Sequence, residues 1–156
     1  MMDTKMREAN PGMAAALAEA RKAAEEGEIP VGAALMRDGE LIWADHNRRE
    51  SRKDPTAHAE MLCMAEGAKR LGDWRLEDCT LYVTLEPCPM CAGAMVMSRL
   101  GQCRFAAADP EKGCCGSVYD LPADPALGGM TRWTVDGNAA AESRELLRAF
   151  FQKRRA

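Results

Sequence analysis

The segment TLYVTLEPCPMCAGAM, from Thr80 to Met95, combines a strand, a boundary and the start of a helix. Thr80 to Leu85 is rich in β-forming residues that alternate, which predicts a strand. Proline is favoured in a first helical turn, so a helix is predicted from Pro87 to about Leu100. The thiols of Cys88 and Cys91 therefore lie one turn apart at a helix N-terminus, directly after a strand.

A second motif, His58-Ala59-Glu60, lies just inside the start of another predicted helix, from Pro55 to about Leu71. One imidazole and two thiolates are suitable zinc ligands, and the spacing of Cys88 and Cys91 lets both sulfurs reach one ion. The positive end of a helix dipole favours thiolate over thiol. Three protein ligands leave the fourth tetrahedral position for water, as in catalytic zinc sites.

Glu60 follows His58 by two residues and is close enough to reach a zinc-activated water without binding the metal. A carboxylate in this place can accept the water proton and pass it to a substrate. The pairing of His-x-Glu with Pro-Cys-x-x-Cys is typical of zinc-dependent deaminases that act on nucleobases. The residues thus predict a hydrolytic deaminase in which Glu60 is the catalytic proton carrier.

Two other interpretations of the same residues stay open. Cys-Pro-Met-Cys at a helix start resembles a thiol redox motif, which would leave His58 and Glu60 without a purpose. A structural zinc site in a non-catalytic binding module would need a fourth ligand. The other histidine of the chain is His46, and Cys63, five residues after His58, should project from a different part of the helix. Such a module has no use for an unliganded carboxylate beside its metal.

Alternating helices and strands predict the α/β class, with a mixed sheet of about five strands covered by helices on both faces. We expect one domain over residues 1–156. The remaining predicted elements are a helix from Pro11 to Glu26, strands from Val31 to Met36 and Leu41 to Ala44 joined by a turn at Asp38-Gly39, strands from Gln102 to Ala107 and Thr131 to Val135, and a helix from Ala139 to about Lys153.

Composition excludes several classes of protein. An apolar fraction of 47% allows a buried core, and a net charge of −3 argues against non-specific coating of nucleic acid. Met1 to Asn10 contains no export signal, and no apolar run has the length of a membrane span. Seven cysteines, an odd number without a disulfide framework, predict a cytoplasmic protein. We expect Cys114-Cys115 to be partly exposed in a long loop from Asp109 to Gly129, and Met90, Met95 and Met97 to be core residues.

The segments Asp54 to Glu60 and Leu81 to Met95 closely resemble the bacterial tRNA-specific adenosine deaminases of the cytidine-deaminase-like superfamily. The resemblance implies a three-layer α/β/α fold, one zinc ion per subunit, and a homodimer with active sites near the interface. It extends to Glu28 to Ala33, Asn47-Arg48, Ser98-Arg99, Asp109-Pro110, Gly116-Ser117 and Phe150-Phe151.

The resemblance also implies a reaction and roles for further residues. Adenosine at the wobble position of a tRNA anticodon stem-loop would become inosine, with zinc-activated hydroxide adding to C6 of a flipped-out adenine. Glu60 would protonate a ring nitrogen and then the departing ammonia. Asn47 would hydrogen-bond the base, Val31 would line the pocket, and Asp109 would lie near the sugar of the bound nucleotide or its neighbour.

Independent sequence support for RNA comes from a basic run before His58, although the same run could be a solvated surface. Its members could contact phosphates at the mouth of the pocket. One segment departs from the family, because Gly128-Gly129-Met130 replaces an Asn-His pair on the nucleic-acid side. This departure keeps open a small-molecule deaminase of guanine, cytosine or a nucleoside such as cytidine. The candidate RNA contacts are Arg48, Arg49, Arg52 and Lys53.

Overall fold

The computed structural model describes residues 10–155, so the predicted lack of an export signal before Asn10 lies outside the described residues. Five strands form one mixed sheet in the order β2-β1-β3-β4-β5. β1 runs antiparallel to β2 and β3, whereas β3, β4 and β5 run parallel. The strands are β1 Gly32–Arg37, β2 Glu40–His46, β3 Cys79–Leu85, β4 Gln102–Ala107 and β5 Arg132–Val135.

The helices cover both faces of this sheet, which confirms the predicted three-layer α/β/α fold. Along β1, Ala33 and Leu35 join the core beneath the third and fourth helices, while Ala34 packs with the first helix on the other face. Within the described range, none of the helices combines the length and the apolar character that crossing a membrane requires. The helices are α1 Pro11–Glu25, α2 Arg49–Arg52, α3 Ala59–Leu71, α4 Pro89–Met97 and α5 Ala140–Arg155.

Two predicted helix boundaries were wrong by three or more residues, and hydrogen bonds explain both; α4 also begins at Pro89 and not at Pro87. α3 begins at Ala59 and not at Pro55, because the Asp54 carboxylate accepts hydrogen bonds from the backbone N–H and the hydroxyl of Thr56, which makes a turn. α4 ends at Met97 and not near Leu100. Arg99 has a φ of 55° there, and Leu100 N–H donates to the Met95 carbonyl in a C-terminal capping turn.

Gly32 begins β1 at a close approach to α1, and its replacement tests this packing. A Cβ atom at residue 32 would lie 1.9 Å from the carbonyl oxygen of Ala16 and 2.5 Å from the nitrogen of Ala20. These are backbone atoms, which cannot rotate away. We expect Gly32→Ala to lower the free energy of unfolding by about 3 kcal/mol or more, measured by urea denaturation.

The matched control for this substitution is Gly137→Ala. A Cβ atom at Gly137 would meet nothing within 4 Å. Its free energy of unfolding should stay within about 0.5 kcal/mol of the parent protein. Equal stability of the two variants would contradict the close packing of β1 on α1.

Candidate active site

His58 and Cys88 occupy equivalent places at the starts of two helices. His58 is the residue that precedes α3, and Cys88 is the residue that precedes α4, directly after β3. Neither side chain caps its own helix, so both remain available for another partner. Cys91 lies in the first turn of α4 and is fully buried. Two positive helix ends thus meet at the three predicted zinc ligands.

The distances among these side chains suit a zinc ion. His58 Nδ1 lies 3.5 Å from the Sγ atoms of both Cys88 and Cys91. All three ligand atoms lie within 4.8 Å of one another. Around a tetrahedral zinc with Zn–S and Zn–N bonds of about 2.3 and 2.0 Å, the expected N···S separation is about 3.5 Å. The donor set therefore fits zinc, and the predicted cofactor is confirmed.

The thiols and the imidazole influence one another's protonation before any metal binds. A hydrogen bond from the Cys91 thiol, helped by one from His58, lowers the pKa of Cys88 to about 4, although burial works in the opposite direction. The same bond to Cys88 raises the pKa of Cys91, and burial raises it further. Hydrogen bonding to Cys88 raises the pKa of His58. Metal binding at neutral pH must therefore displace the remaining protons of this cluster.

Glu60 is a buried carboxylate in the first turn of α3, with 3% of its surface exposed. Burial raises its pKa to about 7, while the nearby His58 lowers it. A group that titrates near neutrality can both accept and donate a proton at physiological pH. The environment of Glu60 therefore suits the predicted proton transfer.

Glu19, Asp45 and His46 form a second group at ligand distance, but its atoms already have partners. The ring nitrogens of His46 lie 2.8 Å from Glu19 Oε1 and 2.8 Å from Glu26 Oε1. Arg48 Nε donates to Asp45 Oδ1 at 2.7 Å. This group is a network of hydrogen bonds and ion pairs that links α1 to β2, and it occupies both ring nitrogens of His46.

A cavity of about 440 Å³ opens beside the zinc ligands, within the size range of small-molecule sites. Asn47, Val31 and Asp109 line it together with Glu60. The side-chain oxygen of Asn47 accepts a hydrogen bond from the Arg49 backbone at 3.1 Å, and its NH₂ group donates one of its two hydrogens to the Ile29 carbonyl in a long bond of 3.5 Å. The amide is thus oriented by its oxygen and keeps donor capacity for a ligand.

The four basic residues predicted to contact RNA occupy different positions. Arg49 is exposed and lines the cavity. The Arg48 guanidinium is held inward by its ion pair with Asp45. Arg52 and Lys53 are exposed at the end of α2 and do not line the cavity. The geometry singles out Arg49 as the member of this group that lines the cavity.

Sequence reasoning missed part of the cavity wall. Leu147 and Phe151 of α5 line the cavity. Their spacing of four residues places them on one helix face, which is the signal that could have found them. Glu86 also lines the cavity and is buried. Glu86 immediately precedes Pro87 in the zinc motif, but the spacing of residues in the sequence does not indicate which groups its carboxylate contacts.

The long loop after β4 corrects one prediction and shows one close backbone contact. Cys114 and Cys115 are each 1% exposed, so the prediction of partial exposure was wrong. Cys115 N–H donates to Glu86, and Cys115 packs into the core. In Gly128-Gly129-Met130, the segment that differs from the family pattern, a Cβ atom at Gly129 would lie 2.8 Å from the Pro122 carbonyl oxygen. Because the backbone of Pro122 lies so close, a side chain at residue 129 would clash, which explains the glycine there.

Comparisons with known proteins agree on the family. Residues 6–107 match the family model of the cytidine and deoxycytidylate deaminase zinc-binding region. A tRNA-specific adenosine deaminase of Bacillus subtilis is 48% identical over 143 residues, which are 92% of this chain and 88% of that protein. A structure from work on A-to-I editing by tRNA:A34 deaminases at the wobble position of transfer RNA matches with a TM-score of 0.83 and 39% identity, over 87% of this chain and 98% of that one. The X-ray structure of a Bacillus subtilis guanine deaminase matches with a TM-score of 0.60 and 35% identity, over 69% of this chain and 66% of that one.

Proposed function

This chain belongs to the zinc-binding cytidine and deoxycytidylate deaminase family and, within it, to the tRNA-specific adenosine deaminases, and from that premise we propose that it converts the wobble adenosine of a tRNA anticodon to inosine. The observation that carries the proposal is the buried Glu60 beside the donor set of His58, Cys88 and Cys91, at the base of one cavity. The proposal takes residues 1–156 as one deaminase domain and places the enzyme with its tRNA in the cytoplasm.

The reaction replaces the amino group at C6 of adenine by the oxygen of water and releases ammonia. His58, Cys88 and Cys91 would hold a zinc ion, which would lower the pKa of a water molecule enough for that water to be nucleophilic at neutral pH. Glu60 accepts a proton from the attacking water and delivers it to a ring nitrogen of the base. Glu60 then takes the remaining proton from the hydroxyl group that has been added at C6 and gives it to the departing amino group, which leaves as ammonia while C6 becomes a carbonyl carbon. Burial raises the pKa of Glu60 above the ordinary value of a glutamate, which favours its use as both acceptor and donor of a proton.

Substrate contacts in this proposal come from residues around the cavity. The NH₂ group of Asn47 donates to the base, and Val31 packs against it. Asp109 lies at the outer wall, where a sugar or a neighbouring nucleotide would pass. The cavity of about 440 Å³ suits one nucleoside, so the rest of an anticodon loop must lie along its rim. Arg49 is the basic residue best placed to contact a phosphate there, and Arg52 and Lys53 would act farther out.

Inosine formation by the zinc-loaded protein tests the proposal. The substrates are an anticodon stem-loop with adenosine at the wobble position, the same stem-loop with guanosine there, and free guanine, cytosine, adenosine and cytidine. We expect inosine in the first stem-loop and no product from the others. Turnover of free guanine with both RNAs unchanged would favour the small-molecule alternative, which the guanine deaminase similarity supports. Absence of turnover with every substrate would favour the non-catalytic module.

A homodimer is the second part of the proposal. The outer face of α4 carries Met97, which is 77% exposed, so the prediction that Met97 belongs to the core was wrong. At the other end of α4, Met90 borders the exposed Val118 and Tyr119 beside the zinc ligands. Exposed apolar surface of this kind is typical of interaction sites. A second copy packed on α4 would place the two active sites near the interface.

Met97→Lys tests this interface because a lysine there would bury an unpaired charge between two copies. We expect the parent protein to sediment as a dimer and the variant as a monomer. Leu41→Lys is the control, because Leu41 is 51% exposed at the β1–β2 hairpin, away from α4. Its sedimentation should match that of the parent protein. A dimeric Met97→Lys variant would place the interface elsewhere.

A further inference from the structure

Glu86 is a buried carboxylate that the chemistry proposed above does not use. Only 2% of its surface is exposed. Its Oε1 atom accepts a hydrogen bond from the Asp109 backbone at 3.1 Å and another from the Ser117 hydroxyl. Its Oε2 atom accepts from the backbone N–H groups of Cys115 at 3.0 Å and Ser117 at 3.1 Å. One carboxylate thus gathers four donors from a single loop.

These donors belong to residues 109–117, which we call the wall loop because Asp109, Pro110 and Lys112 line the cavity. The wall loop lies outside the five strands and the helices of the described range, so its N–H groups need acceptors elsewhere. Glu86 supplies them with charge-assisted bonds, which are stronger than neutral ones. The adjacent Pro87 carbonyl accepts from Cys114 N–H at 2.8 Å. Both acceptors lie directly before the zinc-site residue Cys88.

We propose that Glu86 is a positioning residue that fixes the wall loop relative to the zinc-site segment and thereby sets the affinity for the nucleotide. Only the identity of that nucleotide depends on the function proposed above. Through Asp109, the carboxylate holds the outer wall at a set distance from Cys88 and Glu60. Loss of its acceptor capacity releases the wall while the metal ligands and Glu60 stay in place.

The first test is hydrogen exchange of Glu86→Gln, which requires no RNA. An amide has one acceptor oxygen and one donor group, so one of the two pairs of bonds must lose its acceptor. We expect the NH₂ group of the glutamine to take the place of Oε1. The Ser117 hydroxyl can rotate there to accept a hydrogen bond from it, whereas the Asp109 N–H can only donate and loses its acceptor. We expect exchange at the Asp109 amide to accelerate by about tenfold, with smaller changes at Cys115 and Ser117. Unchanged exchange throughout the wall loop would overturn the proposal.

Glu28→Gln is the matched control. Glu28 is also a buried glutamate, and it accepts from the backbone N–H groups of Glu50 at 3.0 Å and Ser51 at 2.8 Å. Exchange should accelerate in α2 and not in the wall loop. Acceleration of the wall loop in both variants would show general loosening of the protein and would count against a specific role of Glu86.

The second test separates positioning from a merely structural role by kinetics. With the wobble-adenosine stem-loop, Glu86→Gln should raise KM by about tenfold while kcat stays within about threefold and the zinc content stays at that of the parent protein. A fall in kcat with an unchanged KM indicates fewer folded molecules and overturns the proposal. If the parent protein leaves the stem-loop unchanged, the proposed function fails, and the exchange experiment still decides the role of Glu86.

A milder variant covers the case in which Glu86→Gln does not fold. Ser117→Ala removes one of the four donors at an exposed residue and leaves the carboxylate intact. We expect exchange at Asp109 and the KM for the stem-loop each to rise by about threefold, in keeping with the loss of one hydrogen bond. No change in either quantity would contradict the proposal.

Discussion

Glu60→Gln is expected to lower kcat for the stem-loop by a factor of about 10³, within the range of general acid–base catalysis. Glutamine has nearly the shape of glutamate but cannot accept a proton and return it. Burial already raises the pKa of Glu60 to about 7, so a neutral side chain is well tolerated at this site. The melting temperature and the zinc content of the variant should therefore stay close to those of the parent protein. Single-turnover kinetics with zinc analysis measures the effect.

Glu66→Gln is the control for this experiment. Glu66 lies on the same helix, α3, and pairs with Arg70 at the surface. This substitution removes one carboxylate from α3 at a residue that does not line the cavity, so kcat should stay within about twofold of the parent value. Deamination by Glu60→Gln at the parent rate would show that another group carries the protons.

Cys91→Ala is expected to lose the metal and much of the stability that the metal supplies. Cys91 is fully buried between Cys88 and His58, so no other donor on that turn of α4 can replace its sulfur. When free zinc is about a thousand times its dissociation constant, binding adds about 4 kcal/mol to the free energy of unfolding. The variant should unfold at the temperature at which the chelator-treated parent protein unfolds, and chelator should have no further effect on it.

Cys114→Ala provides the comparison within the same site. Cys114 is buried near Cys88, but it lies outside the group of atoms at metal-ligand distance. This variant should keep one zinc ion per chain and should still lose stability when chelator is added. If Cys91→Ala still bound one zinc ion per chain, Cys91 would not be a ligand, whatever the effect of the substitution on stability.

Some features follow from the sequence because they depend on neighbours within a turn or two. The strand from Gln102 to Ala107 was predicted with the bounds that β4 has. The spacing of His58 to Glu60 and of Cys88 to Cys91 predicted the donor set and the proton carrier, because ligand chemistry restricts both residue types and spacing. Zinc, the deaminase family and the layered fold were confirmed on this basis.

Other features depended on side-chain hydrogen bonds that compete with the helical pattern. The Asp54 turn delays α3, and the left-handed Arg99 ends α4. The short helix α2 lies in a charged stretch without helical periodicity. It forms where the buried Glu28 accepts from its N–H groups. No local signal distinguishes a carboxylate that finds such donors from one that stays in solvent.

The sequence by itself was enough to predict the chemistry of this protein, because the prediction from His58, Glu60, Cys88 and Cys91 depends only on their residue types and spacing. The tertiary structure decided which residues stand opposite them. Parallel pairing of β3 with β4 carries the wall loop to Glu86, and packing of α5 turns Phe151 into the cavity. Burial of Cys114 and exposure of Met97 were decided in the same way. Such contacts join residues far apart in the chain, and their energy depends on how whole layers pack.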